Sequence, residues 1–359
     1  MAKITIIANF YKSENFIHKL VESVLAQTYT DWELLCVNDC SPGRDKDIIL
    51  KYVAKDKRIR LIDNKVNLGI CKAKMEGLKH AESKYVTFID GDDWYAPEAL
   101  QRMVEPAEKY NLDMVVMNHY RALPSFRYNK KIVQNIEEWN TPIYNSFEKY
   151  YVNFFGENMF SSAYWGMLFR RDVIIESGLK PQENVFAEDL AFHLTVFPYV
   201  KSLMFVDYYG YYWRWGGYSA GKKSTFWTSE IGLRRSNEFY VDRMNLIDKY
   251  NYKKAYLPLL RQQRKDVLNY VSDFADTKLG TAETNKKIEF ISEILDGMFY
   301  EKLSDLGKMD PIFADDKLLK CILNKDAKGV YQICYDKRKS EFAKRVIRWL
   351  LHKVISIFN

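Results

Sequence analysis

Short apolar runs alternate with amphipathic stretches along the first third of the chain. The runs are rich in β-branched and aromatic residues and therefore predict strands, whereas the stretches between them carry apolar residues at helical spacing. The predicted strands are 3–8, 32–37, 59–62, 85–89 and 114–117, and the predicted helices are 14–26, 45–53, 71–81 and 97–110. This alternation predicts an α/β fold, with a mostly parallel, doubly wound sheet joined by right-handed crossovers.

The pattern changes after this predicted sheet. From 121 to 148 it weakens, as expected of a loop-rich connection. Strand-like runs then return on either side of a helix that begins near Glu188. Further on the period is helical and strand signals are absent. We therefore expect two domains, an α/β domain over 1–224 and a separate helical module over 225–359.

Length and composition are those of an ordinary globular enzyme. A chain of 359 residues can bury a substantial core. The five cysteines form no CxxC pair, which argues against a disulfide framework or a zinc site and fits a reducing compartment. No apolar run approaches the roughly 20 residues that span a bilayer, and the N-terminus shows no signal-peptide pattern. We expect a cytoplasmic protein.

The end of the chain concentrates positive charge. The formal net charge is +7, and seven lysines and arginines lie between Lys337 and Lys353. Apolar residues from Ala343 to Phe358 fall on one face of a helix, with basic residues elsewhere. This pattern is typical of a helix that lies on an anionic membrane, here the inner face of the cytoplasmic membrane, and no nucleic-acid partner is expected. A helix packed on the body of the protein or on another subunit, as in a homo-oligomer, would give the same pattern.

An acidic cluster follows the predicted strand 85–89 directly. Asp90, Gly91, Asp92 and Asp93 therefore fall at the carboxyl end of a parallel sheet, which is where open α/β sheets bind ligands. Three carboxylates this close repel one another, and a hard divalent cation such as Mg²⁺ or Mn²⁺ would neutralise them and bridge to phosphates. A solvated turn is the alternative, because Asp-Gly is common turn chemistry.

Two further positions fit a nucleotide. Asp39 follows the apolar run 34–37, so its carboxylate also projects from a strand end and can accept the imide N–H of uracil. A helix N-cap is the alternative. Asn67 opens a turn and a helix start with lysines nearby, which suits a diphosphate, although a solvated helix face explains the lysines equally well.

Several motifs occur in a fixed order at 5–11, 23–29, 32–41, 67–69 and 88–93. Their order and spacing resemble the family 2 glycosyltransferases, inverting bacterial enzymes with the Rossmann-like GT-A fold. The resemblance covers roughly residues 3 to 220 and leaves the tail outside. Ala8 stands where the family usually has Pro, Lys74 where it more often has Arg, and Met167 where Lys is frequent.

The resemblance implies roles for the residues of a donor site. Asp39 and Tyr11 would hold uridine, and Asp92 would ligate Mn²⁺ or Mg²⁺ between the two phosphates. Asp90 would contact the ribose or the metal shell, whereas Asp93 is expected to hold the loop. The other expected donor-binding residues are Ala8, Phe10, Glu14, Asn67, Lys74, Gly91 and Arg214.

A second acidic pair, Glu188 and Asp189, resembles the catalytic acids of the family. Inversion needs a carboxylate that takes the proton of the acceptor hydroxyl, and we expect Asp189 to be this general base. Capping is the alternative, because acids in the first turn favour the helix dipole. The segment 211–219 resembles a further motif of the family, which implies that Arg214 lies near the donor phosphates and that Gly216-Gly217 is the hinge. An aromatic core strand with an arginine on its solvent side is the alternative.

These observations predict a metal-dependent hexosyltransferase. It would move a hexose or N-acetylhexosamine from a UDP-sugar to a hydroxyl of a bacterial surface glycan, such as a capsule, lipopolysaccharide or exopolysaccharide, free or lipid-linked. One alternative is a degenerate scaffold subunit that binds nucleotide sugars. Another is a sugar nucleotidyltransferase, but that class requires a Gly-rich loop after the first strand, where 8–13 contains no glycine. A dehydrogenase is excluded for the same reason, because the loop after the first strand lacks the GxGxxG motif.

Overall fold

The computed structural model describes residues 2–122, 130–132, 138–156, 163–180, 188–214, 230–274, 281–295 and 298–340. These residues form two compact units. The first draws on Met1–Tyr150 and Asn158–Ser219, and the second on Tyr151–Glu157 and Ala220–Asn359. The expected domain boundary at 224/225, the expected hinge at Gly216-Gly217 and the basic terminal helix lie outside the described residues.

The first unit holds the strands and seven described helices. The strands are β1 (Ile4–Phe10), β2 (Trp32–Asn38), β3 (Ile59–Asp63), β4 (Tyr85–Asp90), β5 (Trp94–Tyr95), β6 (Met114–Ala122), β7 (Lys130–Ile132), β8 (Ile143–Tyr144), β9 (Met167–Arg170) and β10 (Ser202–Arg214). The helices are α1 (Ile17–Leu25), α2 (Asp45–Val53), α3 (Ile70–Lys79), α4 (Ala99–Lys109), α5 (Ser146–Gly156, which continues into the second unit), α6 (Arg171–Glu176) and α7 (Glu188–Val196).

All described strands belong to one sheet. Its order is β3-β2-β1-β4-β9-β6-β10-β5, with β7 on β6 and β8 on β10. Strands β1–β4, β6 and β10 run in one direction, whereas β5, β7, β8 and β9 run against them. The predicted α/β class with a mostly parallel sheet is confirmed. The weakly patterned stretch from 121 to 148 contains β7, β8 and the start of α5, which its sequence did not predict.

Helices cover the sheet on both faces. Alternate residues of β1, including Ile4, Ile6 and Phe10, join a buried cluster with the apolar sides of α1, α2 and α4. On the opposite face α3 packs closely, since Gly77 lies against the side chain of Ile7. The loops at the carboxyl ends of β1, β2 and β4 are therefore anchored from both sides.

The second unit is helical where it is described. It contains α8 (Glu230–Tyr250), α9 (Tyr256–Phe274), α10 (Thr281–Leu295), α11 (Met298–Met309), α12 (Lys317–Leu323) and α13 (327–340). A separate buried cluster, with members such as Leu260, Phe290, Leu303, Leu319 and Val330, holds α9 to α13 together. Among the described residues, no helix is long and apolar enough to span a membrane.

Candidate functional site

Three strand ends meet at one edge of the sheet. Strand β1 lies between β2 and β4, and its residues Asn9 and Phe10 pair with Asp90 and Asn38. Because these strands are parallel, the loops that follow them leave the sheet side by side. The register thus brings Tyr11, Asp39 and the acidic turn 90–93 to the same edge, as the sequence suggested.

Asp39 is buried and organises the loop after β3. Its Oδ1 accepts hydrogen bonds from the N–H of Leu68 (2.8 Å) and from Nδ2 of Asn64 (3.0 Å). Its Oδ2 accepts the N–H of Gly69 (2.8 Å), and Asn67 Nδ2 donates to the Asp39 carbonyl (3.0 Å). Among the described residues Oδ2 has this one donor, so one of its two acceptor positions faces no protein donor.

The start of α3 depends on this contact. Gly69 has φ of +81°, a conformation that favours glycine, and it is the residue before α3 begins at Ile70. Asp39 holds Gly69 in place through its N–H. The same carboxylate that is predicted to read uridine therefore also fixes where α3 begins.

Lys74 of α3 lies beneath Asp90 rather than open to solvent. Its side chain is 1% exposed and its Nζ is 2.7 Å from Asp90 Oδ1, while the Asp90 side chain is 32% exposed. The ammonium also lies over the ring of Tyr164, 4.4 Å from the ring centre. Of the two side chains in this ion pair, only that of Asp90 is accessible at the edge of the sheet.

Asp92 carries a destabilised negative charge. Burial, with the neighbouring charge of Asp90 as the second cause, raises the pKa of the Asp92 carboxyl to about 6. A hard cation between these carboxylates would remove both penalties, so the residues present fit Mn²⁺ or Mg²⁺. No group of three His, Cys, Asp or Glu that could hold a metal alone occurs among the described residues.

Asp93 ties β10 to the acidic turn. Its buried Oδ2 accepts the hydroxyl of Tyr211 (2.6 Å) and its Oδ1 accepts the N–H of Arg214 (2.7 Å). Tyr211 Oη in turn accepts the N–H of Asp90 (3.2 Å). Burial keeps the pKa of Asp93 well above its ordinary value. Asp93 thus joins the turn to β10 by hydrogen bonds, and Tyr211 is a partner that sequence reasoning missed.

Arg214 reaches the acidic turn from the end of β10. Its Nε donates to the carbonyl of Asp92 (2.7 Å). Its guanidinium lies over the rings of Phe16 (4.5 Å) and Trp94 (4.9 Å). The cation expected near the donor phosphates thus lies beside the residue expected to ligate the metal.

Gly91 passes close to β1. A Cβ at this position would lie 2.5 Å from the carbonyl oxygen of Asn9 and 3.1 Å from Ser13 Oγ. Only a hydrogen fits there, so the turn needs glycine at this position.

The remaining predicted donor residues lie along β1 and the loop after it. Ala8 and Phe10 are fully buried, whereas Tyr11 is 44% exposed. Glu14 Oε2 accepts the N–H of Arg44 at 3.2 Å, just before α2. In return Asp45 of α2 accepts the N–H of Ser13 at 2.8 Å. Sequence reasoning did not single out Asp45, although an acid in the first turn of a helix was the available signal.

The loops after β1 and β2 line a cavity of about 280 Å³. Its lining residues are Lys12, Glu14, Asn15, Phe16, Pro42, Gly43 and Asp45. Glu14 therefore lines this cavity and joins the loops after β1 and β2.

Helix α7 carries the predicted acidic pair. It begins at Glu188, whose side chain lies outside the described residues, and Asp189 is half-buried in its first turn. Further along α7, Phe192 packs against Phe88 of β4, with ring centres 5.7 Å apart. Phe88 and Asp90 are two residues apart in a strand and point to the same face of the sheet. Helix α7 therefore packs on the face of β4 to which Asp90 points.

The sheet order and the acidic turn at its carboxyl edge define a GT-A fold. A solved structure with this fold is S. aureus TarS 1–349 in complex with UDP-GlcNAc, which superposes with a TM-score of 0.67 and 16% identity over 94% of this chain and 92% of that one. At this identity the similarity establishes the fold.

Sequence comparisons supply the family. Residues 5–178 match the model of glycosyl transferase family 2, and this part of the chain belongs to that family. The uncharacterized glycosyltransferase EpsJ of Bacillus subtilis is 32% identical over 57% of this chain and 58% of its own length. The Escherichia coli enzyme WfgD, a UDP-Glc:α-D-GlcNAc-diphosphoundecaprenol β-1,3-glucosyltransferase, is 31% identical over 32% of this chain and 45% of its own. The chain thus spans less than two thirds of either relative.

Proposed function

We propose that this protein is an inverting glycosyltransferase that uses a UDP-sugar and a divalent metal. It transfers a hexose or N-acetylhexosamine to a hydroxyl of a bacterial surface glycan. The observation that carries the proposal is the acidic turn 90–93 at the carboxyl edge of the sheet, with Asp39 and Arg214 on either side. The family match supports the reaction class. A UDP-linked donor is supported by UDP-GlcNAc, which is bound in the TarS structure, and by UDP-Glc, which the name of WfgD gives as its donor.

Donor binding uses the three strand ends. Asp39 Oδ2 accepts the imide N–H of uracil at its remaining acceptor position, and the exposed ring of Tyr11 packs beside the base. Asp92 and Asp90 hold Mn²⁺ or Mg²⁺, which supplies positive charge for the diphosphate. Arg214 adds a second cation on the same side.

The chemical step is a single displacement. Asp189 accepts the proton of the acceptor hydroxyl while that oxygen forms its bond to the anomeric carbon. The bond between this carbon and the diphosphate oxygen breaks, and its electron pair leaves with UDP. Attack opposite the leaving group inverts the anomeric centre. Arg214 stabilises the charge that develops on the departing diphosphate.

The same proposal covers location and partners. The protein works in the cytoplasm, peripheral to the inner face of the membrane, where the basic end of the chain binds anionic lipid and brings lipid-linked glycan acceptors within reach. Contact of the tail with a second copy of the chain is the competing arrangement.

Release of UDP from a panel of UDP-sugars, with and without Mn²⁺, tests the function. Slow hydrolysis of one donor is expected, lost in Asp92→Ala and strongly reduced in Asp189→Asn. Lys79→Met changes an exposed residue of α3 paired with Glu76 and serves as the control. If no donor is hydrolysed and calorimetry shows no binding of UDP with Mn²⁺, the proposal is wrong.

A further inference from the structure

Lys74 is a buried cation that contacts both the acidic turn and the ring of Tyr164. Burying an ammonium is costly unless it is paired. Its Nζ lies 2.7 Å from the Asp90 carboxylate and 4.4 Å from the centre of the Tyr164 ring. Lys74 therefore joins the acidic turn to a side chain that belongs to another part of the fold.

Tyr164 leads from Lys74 to the helix of the acidic pair. Its ring is stacked on Phe192 of α7, with ring centres 4.3 Å apart and planes inclined by 22°. Phe88 packs edge-on against Tyr164 at 5.0 Å, and Phe169 packs against Phe192 at 5.2 Å. Since close-packed rings cannot move independently, a shift of Tyr164 has to be followed by α7.

We propose that Lys74 and Tyr164 are positioning residues that couple occupation of Asp90 to the placement of α7, and hence of Asp189. This inference rests on the proposed function. A donor and a metal at Asp90 compete with Lys74 for the carboxylate. The ammonium of Lys74 then moves away from Asp90 and towards the ring of Tyr164. The α7 helix is set for the reaction when the donor site is filled.

The chemistry of lysine suits this role. An ammonium is a compact charge on a flexible stem, so it can move between a carboxylate and a ring by a small rotation. An arginine forked onto Asp90 would have to break two parallel hydrogen bonds to do the same. Lysine at this position is thus the residue that responds to a change at Asp90.

A purely local role for Lys74 is the competing explanation. In that case Lys74 neutralises Asp90, and Tyr164 merely fills the core. The two explanations differ at Tyr164, whose ring contacts both Lys74 and Phe192 of α7. Coupling requires that loss of the ring affects α7 and the rate, whereas the local role requires only a loss of stability.

Hydrogen exchange of the full chain tests the coupling without reference to turnover. The amides of 191–196 are followed with and without UDP and Mn²⁺, in the wild type, Lys74→Met, Tyr164→Leu and the control Lys79→Met. We expect binding to slow exchange in α7 of the wild type and the control. Lys74→Met and Tyr164→Leu should lose most of this response, at ligand concentrations that calorimetry shows to be saturating for each variant.

Kinetics of donor hydrolysis supply a second readout. We expect Tyr164→Leu to lower kcat about tenfold, a typical effect of an outer-shell change, while its Kd for UDP with Mn²⁺ stays within about twofold of the wild type. Thermal unfolding confirms that each variant is folded; if Tyr164→Leu is not, Lys74→Met decides the matter.

The outcomes separate this inference from the proposed function. If wild-type protein binds no UDP with Mn²⁺, the function itself fails. If it binds, but α7 responds equally in the wild type and Lys74→Met, the function stands and the coupling is overturned.

Discussion

The backbone of the acidic turn leaves no room for a side chain at Gly91. A Cβ there would lie 2.5 Å from the Asn9 carbonyl oxygen, which is backbone and cannot rotate away. We expect Gly91→Ala to push the turn off β1, at a cost of about 1–3 kcal/mol in the free energy of unfolding. Binding of UDP with Mn²⁺ should weaken with it. Chemical denaturation and calorimetry measure the two effects.

Gly307 in α11 offers the matched control. The nearest atom to a Cβ there is Leu319 Cδ2 at 3.3 Å, the end of a flexible side chain. Alanine is also favoured over glycine inside a helix, so Gly307→Ala should leave binding unchanged. Unaltered binding by Gly91→Ala would show that the position of the turn is irrelevant to the ligand.

The raised pKa of Asp92 makes stability depend on pH in a definite direction. Between the ordinary value of 3.8 and about 6, the folded protein holds a proton that the unfolded chain has lost. The free energy of unfolding therefore falls as pH rises through this window. We expect Asp92→Asn to be more stable than the wild type at neutral pH by about 1 kcal/mol, allowing for partial exposure. Denaturant unfolding in metal-free buffer across the window measures the difference.

The variant and the metal supply the controls for this titration. Other groups titrate in both proteins, so the difference between wild type and Asp92→Asn isolates the carboxyl. Saturating Mn²⁺ with UDP should cancel the wild-type penalty, because a cation favours the ionised form. Equal stability of the two proteins at every pH would mean that Asp92 is not destabilised.

Strand β10 is tied to the turn through one hydroxyl. Tyr211 donates to Asp93 Oδ2 and accepts the Asp90 N–H, so Tyr211→Phe leaves both groups buried without this partner. We expect a loss of about 1–3 kcal/mol in the free energy of unfolding, and weaker binding of UDP with Mn²⁺ because Asp90 and Arg214 lose a common support. Denaturant titration and calorimetry measure these changes.

Its neighbour Tyr212 is a suitable comparison for that experiment. It is half-buried on the other face of β10 and stacks on Trp94 with ring centres 5.1 Å apart. Tyr212→Phe keeps this stacking and should behave as the wild type. If Tyr211→Phe did the same, the tie between β10 and the turn would contribute nothing to binding.

The positions of the first four strands and of α2 could be predicted from periodicity alone. The α2 helix spans Asp45–Val53 as expected, and the first four strands lie within two residues of their predicted bounds. The direction of β9 could not be predicted, because alternation reports which faces are buried but not which way a strand runs. The α1 helix is shorter than predicted because Ser13 and Glu14 serve the contacts between the loops after β1 and β2.

The contacts of the site followed only in part from the sequence. The carboxyl edge could be predicted because Asp39 and Asp90 each end an apolar run. Tyr211 could not, since it meets Asp93 across 118 positions of the chain. Nor could the burial of Lys74, because an amphipathic helix with several lysines gives no sign of which one turns inward.

Each of the two units has a hydrophobic cluster of its own, and the site described above belongs to the first. The residues proposed to bind the donor and the metal, and the candidate base, thus all lie in one unit. In the proposed function the basic end of the chain binds anionic lipid and brings the acceptor within reach. Changes there should alter which surface or acceptor is used and leave hydrolysis of the donor intact.

Deletion of 341–359 tests this division of roles. Their sequence predicts a helix with an apolar face and with lysines and arginines elsewhere, so the full chain should sediment with vesicles that contain anionic lipid, and less so as salt is raised. The shortened chain should remain in the supernatant while hydrolysing the UDP-sugar at an unchanged rate. Zwitterionic vesicles are the control for the charge requirement. If the full chain does not sediment with anionic vesicles, and light scattering shows that the shortened chain has a different oligomeric state from the full chain, the tail binds a second copy of the chain instead.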